Sequence, residues 1–307
     1  MKIAILADIH ANIVALQMVA DHIEQWRPDA VIVAGDVVNR GPRPLECLRF
    51  VQEKQSVKGW SVVRGNHEDY VISNAEPHAP YSDAEAEIYR NSLWTYQQLN
   101  GDVTALEAMP FSISLTPNGS EVRVAHASMR GTRDGIYVET PDSTLREQIG
   151  DPPPPLFCVG HTHKPLKRYL NGTLVVNVGA AGLPFDGDPR AAYAQIWRER
   201  TEWKVEIVRL DYDRAQAEQD FVDSGILEDG GALARLMRVE LRHARSQIAE
   251  WVHAYQEAVV AGEIGIDESV SRFVAEQGLT ETGCAVSHRQ SSSRGRGRNR
   301  RRWNPAR

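Results

Sequence analysis

An α/β fold is predicted by three observations. The first hundred residues alternate short apolar runs with helical periods, the second half is rich in strand patterns, and 307 residues suit one large domain or a core domain with an appendage. Residues 3–7 are an apolar run that meets Asp8, which marks a buried strand whose end carries function. From 11 to 26 the apolar side chains Ile13, Leu16, Val19, Ala20, Ile23 and Trp26 recur at helical spacing, and Pro28 stops the element. Residues 31–34 form the next strand, followed by Gly35-Asp36 and a polar loop. Leu45, Leu48 and Val51 belong to a second helix, and 61–63 to a third strand that runs into Arg64-Gly65-Asn66-His67. This order calls for a mostly parallel sheet with crossover helices.

Residues 76–109 interrupt the rhythm with a helical insertion in which Ile88, Tyr89, Leu93, Trp94 and Tyr96 precede the stop Asn100-Gly101. It is placed to cap a site, and its aromatic residues are read as packing. Strands at 113–115 and 122–125 flank the turn Pro117-Asn118-Gly119 and form an antiparallel hairpin closed by His126. Asp151 and the four prolines after it make an extended spacer before strands at 156–159, 174–178, 191–197 and 203–210. Leu233, Met237, Leu241, Ala244, Ile248, Trp251, Tyr255 and Val259 then trace one apolar stripe, a single long helix if it is unbroken. Its partner is either the body of the chain or a second copy, so a homo-oligomer through this helix is a candidate. The expected organisation is a core domain over 1–212, a C-terminal helical extension over 213–285, and an Arg/Ser/Gly-rich, disordered tail over 286–307.

The net charge of −6 hides a split. Eight arginines and no acid fall between His288 and Arg307, which leaves 27 basic against 41 acidic side chains in the rest of the chain. An acidic body lacks the cations that a general nucleic-acid footprint needs, so any such contact falls to the tail. Cys47, Cys158 and Cys284 are odd in number and form no CxxC pair, which excludes a disulfide framework and a thiolate metal site. The apolar start is too short for a signal peptide, and no run approaches a membrane span, so a cytoplasmic protein is expected.

The chemistry lies at strand ends. Asp8-Ile9-His10, Gly35-Asp36, Gly65-Asn66-His67 and Gly160-His161-Thr162-His163 each follow a predicted strand, and His126 closes another. The carboxyl ends of parallel strands lie along one edge, so these loops converge. Five of the ten histidines occupy such positions. Carboxylate, imidazole and amide oxygen without thiolate suit first-row divalent ions: manganese first, then iron, zinc, nickel or cobalt. Two such ions about 3.5–4 Å apart need a shared anion, and Asp36 is the candidate bridge. Each motif has a plainer reading: Asp8 as a helix cap, Gly65-Asn66 as a turn. The shared topology argues against these. His22, His78, His243, His253 and His288 fall outside the motifs and are read as surface or packing residues, Cys158 as a core residue, and Glu68 as a residue that merely follows its motif.

Taken in order, Asp8 and His10, Gly35-Asp36-Val37-Val38-Asn39-Arg40-Gly41, Gly65-Asn66-His67-Glu68, His126 and Gly160-His161-Thr162-His163 resemble the calcineurin-like metallophosphoesterase superfamily. The segment from Asn177 to Arg190 is similar to its bacterial and archaeal phosphodiesterase-like branch. The resemblance implies a four-layer α/β/β/α sandwich of two mixed sheets. It also implies that Asp8, His10 and His163 hold one metal, Asn66, His126 and His161 the other, and Asp36 both. A metal-bridging hydroxide then attacks phosphorus, His67 helps to protonate the leaving oxygen, and Arg40 matches a phosphate-holding position of the protein phosphatases. Those phosphatases typically carry aspartate where this chain has Asn39, and a neutral amide stabilises the imidazolium of His67 less. Asn177-Val178-Gly179-Ala180-Ala181 also departs from the Asn-Pro-Gly-Ser common in relatives.

The function expected is hydrolysis of a small phosphodiester or phosphomonoester, with no membrane partner. Asn39-Arg40-Gly41-Pro42 and Arg64-Gly65-Asn66-His67-Glu68 support the alternatives of a dinucleoside polyphosphate hydrolase or a serine/threonine protein phosphatase. A non-catalytic scaffold of the same fold would show gaps among the ligands, and the chain has none.

Overall fold

The computed structural model describes residues 1–76 and 82–279. His78, Cys284, His288 and the arginine-rich tail lie outside the described residues. The predicted alternation is present as β1 (Lys2–Leu6), α1 (Ile13–Trp26), β2 (Ala30–Val33), α2 (Pro44–Lys58) and β3 (Ser61–Val62). Asn12 caps α1 by accepting from the Ala15 amide, and Pro44 opens α2 where no amide donor is needed. A short α3 (Asn66–Ile72) follows, then α4 (Asp83–Gln98) and α5 (Thr104–Glu107) of the insertion. The expected hairpin is β4 (Ser112–Leu115) with β5 (Val122–Ala125), paired antiparallel. Next come α6 (Asp142–Ile149), β6 (Leu156–Val159), β7 (Leu166–Leu170), β8 (Thr173–Asn177), β9 (Ala191–Glu199) and β10 (Glu202–Leu210). The chain continues with α7 (Arg214–Asp223), α8 (Ile226–Asp229), α9 (Leu233–His243), α10 (Ile248–Val260) and α11 (Ile266–Glu276).

The strands form two mixed five-stranded sheets, ordered β10-β9-β1-β2-β3 and β4-β5-β6-β8-β7. Each has a parallel core, β1-β2-β3 in one and β5-β6-β8 in the other, flanked by antiparallel strands. Alternate side chains sort into separate layers, as the two-residue period requires. Ile3 and Ile5 pack between the sheets with Val122, Val124, Leu156 and Cys158. Ala4 and Leu6 face the helical layer, where Leu16, Val51, Trp94, Phe221, Leu236 and Trp251 join one core. Phe157 and Val175 face α6 through Leu145 and Ile149 on the far side. The result is a four-layer α/β/β/α sandwich.

The 233–259 stripe is two helices, not one. Ala244 takes a left-handed φ of 51° and turns the chain between α9 and α10, and its carbonyl accepts the Gly187 amide at 2.9 Å. Alanine favours helix, so this break is set by tertiary packing and leaves no local sign. Both helices lie against the body, with Leu233, Met237, Leu241 and Trp251 buried in the helical core. Strand β7 was not expected, although Asn171-Gly172 between β7 and β8, at φ 48° and 90°, is the left-handed pair that favours a tight hairpin.

Candidate metal centre

The ends of β1, β2, β3, β5 and β6 meet at one place, and the two sheets are tied there by the His161 amide donating to both carboxylate oxygens of Asp8, at 3.1 and 3.0 Å. Asp8, His10, Asp36 and His163 are all buried, and one ligand atom from each lies within 4.8 Å of the others. A second group forms on Asn66, whose Oδ1 stands 2.9 Å from His126 Nε2 and 2.9 Å from His161 Nδ1. Asp36 Oδ2 lies between the groups, 3.6 Å from His10 Nε2 and 3.2 Å from His126 Nε2. The structure thus brings all seven residues expected as ligands into two adjoining sets that share Asp36.

Backbone carbonyls fix the rings. His10 Nδ1–H donates to the Asn39 carbonyl, His163 Nδ1–H to the Leu183 carbonyl and His126 Nδ1–H to the Ala34 carbonyl. Each Nε2 is thereby turned inward, and at His10 and His163 it is left as an acceptor, the arrangement of a histidine poised to bind a metal. His10 Nε2 and His163 Nε2 then face each other at 3.1 Å, two lone pairs with no proton left to place between them. Asp36 Oδ2 is buried and makes no well-formed hydrogen bond, its nearest neighbour of opposite charge being His126 Nε2 at 3.2 Å. A cation between these atoms resolves both mismatches, and the donor set fits a divalent first-row ion.

Burial lowers the pKa of His10 and His163 well below the ordinary value, and that of His161 to about 4, so these imidazoles are neutral and ready to ligate. His126 is the exception. Burial disfavours its charge, but Asp36 beside it prevails and pushes it up to about 10. Burial opposes ionisation of Asp36 too, yet the charge of His126 beside it holds it well below the usual carboxylate range. Asp8 is raised by burial.

The site is strained. Asp8, His10, Asp36, Asn39, Arg40, His161 and His163 all adopt positive φ, from 46° at His10 to 69° at His161, in a region that disfavours side chains. Gly65 and Gly160 permit close approach: a Cβ on Gly65 would stand 2.1 Å from Asp36 Oδ1, and one on Gly160 2.7 Å from Asp8 Oδ2. Glu68 has a larger part than its reading from sequence. Fully buried, its carboxylate accepts from the amides of Asp36, Val37 and Gly65 at 2.8 Å and of Val38 at 3.2 Å. It clamps the loop carrying Asp36 to the loop carrying Asn66. Burial, with Asp36 nearby, raises its pKa to about 7 against those amides.

His67 and Arg40 line the cleft beside the cluster. Asn39 Nδ2 donates to His67 Nδ1 at 3.0 Å, and its Oδ1 accepts from Thr95 Oγ1 and the Arg40 amide, which fixes the amide orientation. The His67 proton therefore sits on Nε2. Burial, helped by Arg40 and opposed by Asp36, lowers the pKa of this ring to about 3. Arg40 does not stand open to ligand on every side: its Nη2 donates to Glu240 Oε2 at 2.5 Å, while its Nε is buried without a partner. Glu240, on α9, is fully buried and its Oε1 accepts from the Gln247 and Ile248 amides. Sequence reasoning missed it; the one available signal was an acid set beside Leu241 in the stripe. It also missed Phe185, stacked on His163 at 4.2 Å, and Asn91, whose Oδ1 accepts from the Arg40 amide.

The family model for the calcineurin-like phosphoesterase superfamily domain matches residues 1–199. The chain belongs to this superfamily. An uncharacterized protein of Methanocaldococcus jannaschii is 28% identical over 244 residues, which cover 74% of this phosphoesterase-family chain and 94% of that protein. A metallophosphoesterase structure from Sphaerobacter thermophilus is 27% identical, with a TM-score of 0.61, covering 80% of this chain and 99% of that one. That likeness runs past the 199 residues of the family model, into the C-terminal helices. A hypothetical protein from Pyrococcus horikoshii shares the fold, with a TM-score of 0.64 at 19% identity over 76% of this chain and 97% of that one. The superfamily is metal-dependent, and the buried Asp–His cluster offers ligands for an ion. Among the described residues no helix is long and apolar enough to cross a membrane.

Proposed function

We propose that this chain is a dinuclear metal-dependent phosphoesterase acting on a small phosphomonoester or phosphodiester. The observation that carries the reading is the pair of ligand sets joined at Asp36, with two imidazole acceptors facing each other at 3.1 Å beside the buried Asp36 Oδ2. Asp8, His10 and His163 would hold one ion, Asn66, His126 and His161 the other, and Asp36 both. When bound, a pair of divalent ions supplies Lewis acidity toward phosphoryl oxygens and a water of lowered pKa.

The remaining residues have roles of their own. His67 presents Nε2–H, and a ring this weakly basic acts on the leaving oxygen as a neutral hydrogen-bond donor, with Asn39 as the group that holds its tautomer. Aspartate at position 39 would favour the imidazolium; asparagine does not, which sets this chain apart from the protein phosphatase pattern. Arg40, steadied by Glu240, places positive charge beside the phosphoryl group. Glu68 keeps Asp36 and Asn66 in register.

Metal analysis, with turnover of p-nitrophenyl phosphate, bis-p-nitrophenyl phosphate, diadenosine tetraphosphate and a phosphopeptide in added manganese, tests the proposal. Wild type should carry two ions per chain and favour one of the first two esters. Asp36→Asn should bring turnover down at least about a thousandfold through loss of the shared anion. Retained activity in that variant, or a clear preference for the phosphopeptide, would overturn the reading.

A further inference from the structure

We infer that the ester carries a neutral, apolar aryl leaving group, seated on a wall that the insertion and the C-terminal extension build beside the cluster; this rests on the phosphoesterase reading above. One cleft of about 490 Å³ runs from Asp36, Asn66 and His161 to Val252, a size suited to a small organic ligand. Its wall away from the metal ligands comes from α4 through Ile88 and from α9 and α10 through Leu233, Met237, Ile248, Ala249 and Val252. None of these is charged. The lining cations are Arg40, which is paired with Glu240, and Lys164, which directly follows His163. A polyphosphate chain extending along the apolar wall would meet no counter-charge from these described residues, whereas an aryl ring would lose water-exposed surface against it.

A second observation points to a ligand at the same place. Asn91, on α4, is 4% exposed and lines the cleft; its Oδ1 is engaged by the Arg40 amide at 3.0 Å, and its Nδ2 is buried with no acceptor. A buried donor without a partner on the lining of a substrate cleft is satisfied when the substrate brings an acceptor. An ester oxygen, next to Arg40 and at the head of the apolar wall, supplies one.

Calorimetric titration of the manganese-loaded full chain with phenylphosphonate and 1-naphthylphosphonate, neither of which is hydrolysed, tests this. The second ring should tighten binding about fivefold, the ratio for burying roughly 40 Å² more apolar surface. Val252→Asp places a carboxylate on the wall at a position already 40% exposed, and the ratio should fall to about one. Val57→Asp, the same change on an exposed valine outside the cleft, should leave the ratio as it is. Asn91→Asp keeps the acceptor for the Arg40 amide and removes the donor, and should weaken both ligands about tenfold or more. Equal binding of the two phosphonates with manganese bound, or tighter binding of diadenosine tetraphosphate than of either, overturns the aryl assignment alone. Failure to take up manganese, with no binding of either phosphonate, overturns the phosphoesterase reading and this inference with it.

Discussion

Replacing Glu240 tests whether the C-terminal extension is wired into the site. Its carboxylate accepts from Arg40 Nη2 at 2.5 Å, from the Gln247 amide at 2.8 Å and from the Ile248 amide at 2.9 Å. Glu240→Ala strands a guanidinium that is only 14% exposed and leaves the start of α10 without an acceptor. Breaking a buried pair from one side costs about 3–5 kcal/mol. Glu240→Gln retains an amide oxygen for the two backbone donors, each worth about 1 kcal/mol, so its loss should be about 2 kcal/mol smaller. Adding Arg40→Met to Glu240→Gln removes the stranded cation, and the double variant should be no less stable than Glu240→Gln alone. Urea unfolding of chelator-treated protein reads these species together with Arg40→Met alone, five in all, with the slope checked for constancy. Glu240→Ala and Glu240→Gln both within about 0.5 kcal/mol of wild type, or a strictly additive double variant, would refute the reasoning.

Metal uptake should release protons, because His126, held near 10 by Asp36 against its burial, is charged at neutral pH and must lose the Nε2 proton to ligate. Manganese affinity should therefore rise by about tenfold per pH unit from pH 6 to 9, with at least about one proton released in titrations across buffers of different ionisation enthalpy; a flat affinity would contradict this. Gly65→Ala drives a methyl to 2.1 Å from Asp36 Oδ1, so bound metal should drop from about two ions per chain to one or none; an unchanged metal content would count against Asp36 as the shared ligand. Glu68→Ala leaves four backbone amides without their acceptor and should lower stability by about 3 kcal/mol or more, and a change under about 1 kcal/mol would show the clamp to be dispensable.

Much of the site is legible in the sequence because its chemistry is carried by short motifs at strand ends. Asp8-Ile9-His10 and Gly160-His161-Thr162-His163 are separated by 149 residues, yet each follows a strand of a parallel core, and that position alone sends them to the same edge. The hairpin of β4 and β5 was equally plain, since its turn residues and alternation are local. Elements that depend on long-range packing were not. The turn at Ala244 runs against the propensity of its residue, and β7 is an edge strand in which only Leu170 is buried, so its pattern is weak, although Asn171-Gly172 marked its turn. Glu68 stood in a motif, but nothing local says that its carboxylate gathers amides from residues 36–38.

What the sequence by itself determined is the set of metal-ligand candidates, from residue type and strand-end position, and, through the resemblance that those motifs carry, the family and its two-sheet sandwich. Tertiary structure alone decided the surroundings of that set. It turned the His67 proton to Nε2 through Asn39, paired Arg40 with a glutamate 200 residues away, and laid Leu233, Met237 and Val252 along the cleft. The physical reason is that ligation depends on a few polar atoms whose identity the chain states outright. The shape and polarity of a cleft depend instead on which apolar faces meet, and a hydrophobic period shows that a face is buried without showing against what.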